Sequence, residues 1–311
     1  MVTGPLDRIL RSLGTPTLLD ELAERIGGAD LTSLLLEVMR RRAGRVRAPE
    51  LLRRYASDRF VAAPLASFAS LRRAEDALIA ACPTFEIVAL APLVPLGTHS
   101  AIATVDQNKV VSTTRQNEVA ADPTNALALE AATRRGAALR ADPKSAALVR
   151  LAAPQRVVRA QQVSGPRHFA HFQLFGFVSA GRDAGGRAFE AAAAAEHLAA
   201  HVGAVAALGA DAITVALTDF SGGAAAPIKA AARAALAAFA NVDCVDDDVR
   251  ASGRGYYRTV CFKVHARFGT DTFETSDGGD VDWTQRLVGS AKERCFISGI
   301  GVDRLALVLD R

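Results

Sequence analysis

Alternating apolar and polar residues predict the clearest β-strand of the chain, between Thr259 and Phe268. One face of this strand carries Val260, Phe262, Val264, Ala266 and Phe268. Elsewhere the apolar residues recur at helical spacing, and they predict helices over Leu31–Arg42, Leu71–Ala81 and Arg187–Leu208. Strands and helices are therefore mixed along the chain, as expected for an α+β protein.

A β-hairpin is predicted near the middle of the chain. Two extended runs, Arg156–Gln162 and His168–Ser179, flank a glycine-proline bend over Val163–Arg167. Because side chains alternate across a strand, Arg159 and Gln161 are expected on the same face. Short β segments are also expected between residues 101 and 114.

The last segment combines a buried strand, a glycine pair and a helix. Cys295–Ile297 is predicted to be a strand, Gly299 and Gly301 to form a tight bend, and Val302 to begin a helix. Arg304 then lies one turn into this helix, where free backbone N–H groups favour anions. The alternative is a bend that only lets the helix pack closely, with Arg304 solvated.

Residues 1–65 contain helical patterns without a strand and are predicted to form a small helical N-terminal module. Residues 66–311 then form the main domain. In that domain Asp122 precedes a helical pattern and is expected to cap the helix rather than bind a ligand.

Composition narrows the class of protein. Half of the 311 residues are hydrophobic, the net charge is +4, and the four cysteines show no paired metal-ligand spacing. We therefore expect a globular protein with reduced thiols, no bound structural metal and a cytoplasmic location. No apolar stretch has the length of a membrane helix, and the first residues do not resemble a secretory signal.

Two groups of basic residues, an arginine cluster and a pair of histidines, are candidates for a functional role. Ten arginines lie between Arg40 and Arg73, and they are candidates to bind RNA or a protein partner, although a solvated face is the commoner reason for such a cluster. His197 and His201 share a helix face at metal-ligand spacing. No third ligand is identifiable, so packing or surface roles are favoured for both.

Three motifs resemble the catalytic domain of class II aminoacyl-tRNA synthetases, in particular the histidyl branch and its paralogues. The second family motif resembles Val158-Arg159-Ala160-Gln161 with the loop around Arg167 and the returning strand His171–Phe177. The third motif resembles Gly299-Ile300-Gly301-Val302-Asp303-Arg304-Leu305. The first motif is matched only by the helix, strand and proline order near residues 71–95.

This resemblance implies an antiparallel sheet flanked by helices, a homodimer, and activation of an amino acid or small carboxylic acid by ATP. It implies that Arg159 contacts the α-phosphate, Arg304 the γ-phosphate or adenine, and Arg167 assists. Phe172 or Phe175 would stack on the adenine, and Arg250 or Arg254 would reach the α-phosphate or the substrate carboxylate. Gln161, Gly299 and Gly301 complete the implied nucleotide site, and the candidates for Mg²⁺ contact are Glu274, Asp277 and Asp280.

Departures from the family keep other functions open. The acid of the second motif is Gln161, and the element whose acid holds the substrate ammonium is replaced by Asp122-Pro123-Thr124-Asn125. The sequence stops seven residues after Arg304, which leads us to expect no anticodon-binding domain. A regulatory or assembly subunit, like the one that accompanies ATP phosphoribosyltransferase, is therefore the main alternative to a ligase. The other alternative to a ligase is an RNA-binding protein.

Overall fold

The structure is a computed structural model, and it describes residues 4–161 and 169–310. The helices are α1 Pro5–Leu13, α2 Leu18–Asp20, α3 Gly28–Ala43, α4 Ala48–Ser57, α5 Phe68–Ala81, α6 Thr98–Ala103, α7 Pro123–Ala141, α8 Ala188–Ala207, α9 Ala226–Leu236, α10 Trp283–Val288 and α11 Val302–Leu309. A π-helical turn, Glu21–Arg25, follows α2, and a 3-10 turn covers Gln107–Lys109. Within the described residues, no helix is both long and apolar enough to cross a bilayer.

The strands form one large sheet and one small one. Their bounds are β1 Glu86–Ile87, β2 Leu93–Pro95, β3 Asn117–Val119, β4 Val149–Val158, β5 His171–Arg182, β6 Ala212–Asp219, β7 Val242–Asp246, β8 Val260–Phe268, β9 Asp271–Val281 and β10 Glu293–Gly301. The eight-stranded sheet has the order β1-β4-β5-β10-β9-β8-β6-β7. Its six central strands are antiparallel, and only the edge strands β1 and β7 pair in parallel. The predicted α+β fold, an antiparallel sheet flanked by helices, is confirmed.

Helices cover both faces of the large sheet. On one face α5, α8, α9 and α11 bury a core that includes Phe177, Leu198 and Phe296. On the other face α6, α7 and α10 bury a second core around Leu127 and Trp283. The apolar face predicted for the strand at Thr259–Phe268 packs into the first of these cores.

Two local predictions are wrong. Strand β10 continues through Gly299 and Gly301, because both residues pair with β5, so the bend expected there does not form. Residues 101–114 contain part of a helix, a 3-10 turn and one isolated β-bridge at Ser112 instead of the expected β segments. The helix forms because the buried carboxylate of Glu118 accepts hydrogen bonds from the backbone N–H groups of Gly97, at 3.0 Å, and His99, at 2.9 Å.

The four helices α1 to α4 and the π turn after α2 belong to the region predicted as an N-terminal module, and none of them contains a buried residue. Part of its arginine cluster is neutralised locally, since Arg40 and Arg41 both lie 2.7 Å from Glu37. The region adjoins the main sheet next to β5, where the imidazole Nε2 of His171 lies 2.7 Å from the carbonyl oxygen of Ala62. The boundary at residue 65 stays a prediction.

The buried ion pair between Arg135 and Glu293 ties α7 to the start of β10. Both side chains are fully buried, and two hydrogen bonds of 2.7 and 2.8 Å join them. Since Arg135→Met would leave the Glu293 carboxylate buried without its partner, we expect it to lower the free energy of unfolding by about 3–5 kcal/mol. Urea denaturation followed by circular dichroism measures this loss.

The neighbouring Arg134 provides the matched control. Its guanidinium pairs with Glu86 and Glu130 at the surface. Exposed ion pairs contribute little, so Arg134→Met should cost much less than Arg135→Met. Equal losses from the two variants would contradict the structural role assigned to the buried pair.

Candidate functional site

A cavity of about 680 Å³ opens where β5, β9 and β10 meet the start of α7 and the first turn of α11. Its volume is in the range of small-molecule and cofactor sites. Six of the residues that the sequence nominated line it together: Arg159, Gln161, Phe172, Gly299, Gly301 and Arg304. Arg167 lies outside the described residues, and Arg254 does not line the cavity.

The two glycines of β10 keep the floor of the cavity open. Gly299 pairs with Gly176 on β5 and with Asp277 on β9, so three strands meet at this level. A Cβ atom added to Gly299 would come no closer than 3.9 Å to any atom of the fold, and one added to Gly301 no closer than 3.6 Å. Side chains would therefore fit the fold here, and the space that they would fill belongs to the cavity.

Arg304 presents a positive charge to the cavity. Its guanidinium donates a hydrogen bond to the backbone carbonyl of Glu274, and it forms no ion pair with any carboxylate in residues 4–161 and 169–310. The carboxylate of the adjacent Asp303 forms an ion pair with Arg156, at 3.1 Å, and accepts a hydrogen bond from the backbone N–H of Gln173. These contacts fix the first turn of α11 while the Arg304 charge is free to meet an anion.

Arg159 reaches the same cavity from the end of β4. Its Nε donates to the carbonyl oxygen of Ala121 at 3.0 Å, and its Nη2 lies 3.2 Å from Oδ2 of Asp122. The guanidinium stands 5.0 Å from the centre of the Phe172 ring, within the range of a cation–π contact. Asp122 does cap α7, as predicted, because its Oδ1 accepts the N–H of Thr124 at 2.9 Å.

The structure separates the two phenylalanines that the sequence left as alternatives. Phe172 lines the cavity, whereas Phe175 is fully buried in the core. Three residues apart in one strand, their side chains point to opposite faces of the sheet. Only Phe172 is therefore placed to stack on a ligand.

The segment before β8 contributes an arginine that pairs with one of the cavity carboxylates. Arg250 lies 2.6 Å from Asp277, whose other oxygen accepts a 2.5 Å hydrogen bond from the Tyr257 hydroxyl. Burial raises the pKa of the Asp277 carboxyl, and the bonds to Tyr257 and Arg250 oppose that rise. Arg254 instead lies over the ring of Phe220, at 5.0 Å.

Of the candidate Mg²⁺ contacts, Glu274 and Asp277 line the cavity and Asp280 does not. Asp280 is buried and accepts the backbone N–H groups of Thr259 and Val260, at 2.9 and 2.8 Å. Glu274 is held by Lys263 at 2.5 Å. Among the residues that the structure describes, no group of three or more His, Cys, Asp or Glu side chains is arranged to hold a metal ion. A divalent cation in the cavity would need oxygen ligands from the phosphates of a nucleotide.

His197 and His201 lie in the core below the cavity floor. Both imidazoles contact the hydroxyl of Ser298 at 2.7 Å, and His197 also lies 3.0 Å from Ser179. Burial lowers the pKa of His201 to about 3 and that of His197 well below its usual value. Their spacing on the helix therefore serves packing and hydrogen bonding to the sheet.

Sequence reasoning missed the contacts that hold the two cavity arginines in place. Asp122 is 37 residues from Arg159, and Asp303 is 147 residues from its partner Arg156. No local pattern signals such a pair. A search for acids near the predicted arginines in the resembled fold would have found them.

Three solved structures share the fold. An apo histidyl-tRNA synthetase from S. aureus has a TM-score of 0.57 and 13% identity, over 78% of this chain and 65% of that one. A Bacillus halodurans protein described as an ATP phosphoribosyltransferase regulatory subunit/histidyl-tRNA synthetase has a TM-score of 0.58 and 14% identity, over 78% of this chain and 80% of that one. A histidine–tRNA ligase subunit from Alicyclobacillus acidocaldarius has a TM-score of 0.54 and 14% identity, over 78% of this chain and 93% of that one.

These similarities establish a class II synthetase-like fold, as the sequence motifs indicated. No family model and no curated protein matches the sequence. At 13–14% identity the likeness is one of fold, and the chain spans 65% of the S. aureus synthetase chain. Activity has to be argued from the site itself.

The buried histidines predict loss of stability in mild acid. Because their pKa values are lowered by folding, the unfolded chain binds protons below about pH 6.5 while the folded chain does not. The two histidines do not reduce the free energy of unfolding well above pH 6.5. As the pH is lowered, this free energy falls by about 2 kcal/mol per histidine between pH 7 and pH 5.

Urea denaturation at pH 7 and pH 5 measures this effect. His201→Gln should reduce the difference in unfolding free energy between the two pH values by about half, because one of the two buried imidazoles is removed. A difference equal to that of the unchanged chain would refute the assignment of the acid sensitivity to this pair.

Proposed function

We propose that this chain binds ATP in the cavity and uses it to activate a carboxylic acid, either an amino acid or a related acid. The observation that carries the proposal is Arg304, a guanidinium that pairs with no acid of the described residues, in a cavity that also contains Arg159 and an aromatic ring. Guanidinium groups bind phosphate oxygens with paired hydrogen bonds and keep their charge at every physiological pH.

The proposed reaction forms an acyl adenylate. A carboxylate oxygen of the acid attacks the α-phosphorus of ATP, the bond from that phosphorus to the bridging oxygen breaks, and pyrophosphate leaves with the electron pair. Negative charge grows on the α-phosphate oxygens and on pyrophosphate, so cations fixed near both lower the barrier.

Each residue of the cavity has a proposed part. Arg304 binds the γ-phosphate or the adenine, and Phe172 stacks on the adenine. Arg159 binds the α-phosphate after its Nη2 leaves Asp122, which is an exchange of one charged partner for another. Gln161 supplies a neutral hydrogen-bonding group beside it. Arg167 keeps its proposed assisting role, and Arg250 or Arg254 its proposed contact with the α-phosphate or the substrate carboxylate.

The open floor at Gly299 and Gly301 admits the body of the nucleotide. Where Mg²⁺ accompanies ATP, Glu274 and Asp277 are the cavity carboxylates placed to contact it, together with phosphate oxygens. The metal would neutralise part of the phosphate charge. A homodimer is proposed from the fold, since paired protomers are usual for it.

A regulatory or assembly subunit is the second candidate. The observation that favours it is the similarity to the Bacillus halodurans protein, whose description names a regulatory subunit of ATP phosphoribosyltransferase. The replacement of the second-motif acid by Gln161 points the same way. In this case the cavity would bind a nucleotide or another anion without turnover.

Isothermal titration calorimetry with ATP tests the first proposal. We expect Arg304→Ala to weaken binding by about 10- to 100-fold, because it removes charged hydrogen bonds to phosphate. Arg159→Ala should also weaken binding, and both should abolish exchange of labelled pyrophosphate into ATP. The matched control is Arg267→Ala, a surface arginine paired with Asp211 outside the cavity. Unchanged ATP affinity in Arg304→Ala would refute the proposal.

Purification of the tagged chain from its native cell separates the two candidates. A regulatory subunit should co-purify with a heteromeric partner in a fixed stoichiometry and support no pyrophosphate exchange with any acid. An exchange-active homodimer without such a partner would exclude the regulatory role. Mass photometry of the purified species gives the stoichiometry directly.

A further inference from the structure

We propose that the N-terminal helices of this chain pair with the same helices of a second copy, in an antiparallel arrangement about a twofold axis. The contact is separate from the nucleotide cavity and does not depend on nucleotide binding. It also differs from the homodimer proposed from the fold, because it is made by helices α1 to α4 rather than by the synthetase-like domain.

Residues 4–65 expose a large share of the apolar surface. Of the 24 large apolar side chains that are exposed in the described residues, 15 belong to this segment, which is about a fifth of the chain. None of the helices α1 to α4 contains a buried residue. Exposed apolar surface of this extent marks a contact with another molecule, and helices of this length are only marginally stable without tertiary packing. A partner that covers these helices is therefore expected.

The longest of these helices, α3, carries an apolar stripe. Leu31, Leu34, Leu35 and Val38 recur at helical spacing, and Met39 lies beside them. Leu31 and Leu35 are half-buried, while the other three side chains are exposed. A stripe along one side of a helix can be covered by a second helix that lies along it.

The N-terminal helices are acidic before the middle of α3 and basic after it. Residues 5–37 contain six acids and three arginines, for a net charge of −3. Residues 40–54 contain seven arginines and one glutamate, for a net charge of +6. The change falls within α3, which has Asp30 in its first turn and Arg40, Arg41 and Arg42 in its last. Its 16 residues hold the two ends about 24 Å apart.

The helix dipole alone does not account for this distribution. It favours acids at the start of α3 and arginines at its end. It does not explain the acids Asp20 and Glu24, which precede α3, or the arginines Arg53 and Arg54 of α4. The two charged ends therefore extend beyond a single helix.

Many of these charges have no partner within the described residues. The ion pairs of the N-terminal helices there involve the acids Glu21, Glu37 and Asp58. Acids without an ion pair in the described part of the chain include Asp20, Glu24 and Asp30, and arginines without one include Arg42, Arg45, Arg47 and Arg53. Both signs of charge are thus available to another molecule.

A second copy of the chain supplies both complements at once. In a twofold contact the same surface faces itself in the opposite direction, so the acidic end of each copy meets the basic end of the other. The apolar stripes of the two α3 helices then cover each other between these ends. RNA or an anionic membrane would complement only the basic end and would repel the acidic one. The charges therefore favour a copy of this chain over a polyanion.

Hydrogen exchange of the full chain tests the contact at α3 and α4 themselves, so a dimer formed through another surface does not affect the result. Exposed helices exchange their amide hydrogens quickly, and covered helices exchange them slowly. We expect the protection of α3 and α4 to increase with protein concentration, because association follows mass action. Added salt should reduce it, because salt screens the charges at the two ends.

Two charge-reversed chains test the complementarity. The first changes three acids to lysine, which moves the net charge of residues 5–37 from −3 to +3; these acids are Asp20, Glu24 and Asp30. The second changes four arginines to glutamate, which moves the net charge of residues 40–54 from +6 to −2; these arginines are Arg42, Arg45, Arg47 and Arg53. The first chain is then basic at both ends and the second is acidic at both ends.

Each reversed chain alone should associate through these helices about tenfold or more weakly and lose the protection of α3 and α4, because like charges face each other. An equimolar mixture should regain the protection, because a basic end again meets an acidic one at both places. Unchanged exchange in β10 shows that the main domain of each variant is folded.

Val38→Glu tests the apolar stripe. Its matched control is Ser33→Glu, because Ser33 is an exposed residue on the opposite side of α3. The first variant should lose protection of α3, and the second should retain it.

The proposal is overturned if the protection of α3 and α4 in the unchanged chain does not depend on protein concentration. It is also overturned if the mixture of reversed chains stays unprotected. Protection that appears only when RNA or vesicles containing phosphatidylserine are added would assign the surface to a polyanion instead and would equally overturn it.

Discussion

The site depends on the pairing of β10 between β5 and β9. Nine residues of β10 pair with β5, and six pair with β9, so the register of this strand is set on both sides. The same register places Gly299 opposite Asp277 and delivers the chain directly into α11. A slip of one residue would turn Gly299 away from the cavity and bring the large neighbouring side chain of Ile300 into it. The position of Arg304 therefore follows from backbone pairing before any side-chain contact is considered.

Ion pairs then determine what the cavity attracts. Each carboxylate that lines the cavity pairs with one cation, so most of the charge cancels. The remaining charge belongs to Arg304, on the first turn of a helix whose start is fixed by Asp303. The paired charges stabilise the fold, and the charge of Arg304 remains available. This difference is the physical basis of the proposed anion binding.

The sequence predicted the parts of this account that depend on short-range patterns. Strand alternation at Thr259–Phe268 and the cap at Asp122 are local features, and both are confirmed. The prediction of a bend at Gly299 was wrong because glycine is also compatible with a strand that borders an open cavity. The prediction of β segments near residue 101 was wrong because a helix begins there. The carboxylate of Glu118, on β3, accepts the backbone N–H of His99 at the start of this helix.

The candidate site was less predictable because it depends on how distant segments of the chain pack together. Six of the residues chosen from the family motifs line one cavity, but the resemblance left two alternatives open, Phe172 or Phe175 and Arg250 or Arg254. The choice between them depends on which face of the sheet contains the cavity and on the partner of Asp277. Both are properties of the tertiary fold, which spacing along the chain does not encode.

The central claim is that Arg159 and Arg304 act on one bound nucleotide. Hydrogen–deuterium exchange with and without ATP tests it most directly, because amides that a ligand covers or stabilises exchange more slowly. The account predicts protection in two separate segments, residues 158–161 and 297–304, with no change at the distant edge strand β7. Protection of only one of these segments, or protection confined to the N-terminal helices, would contradict it.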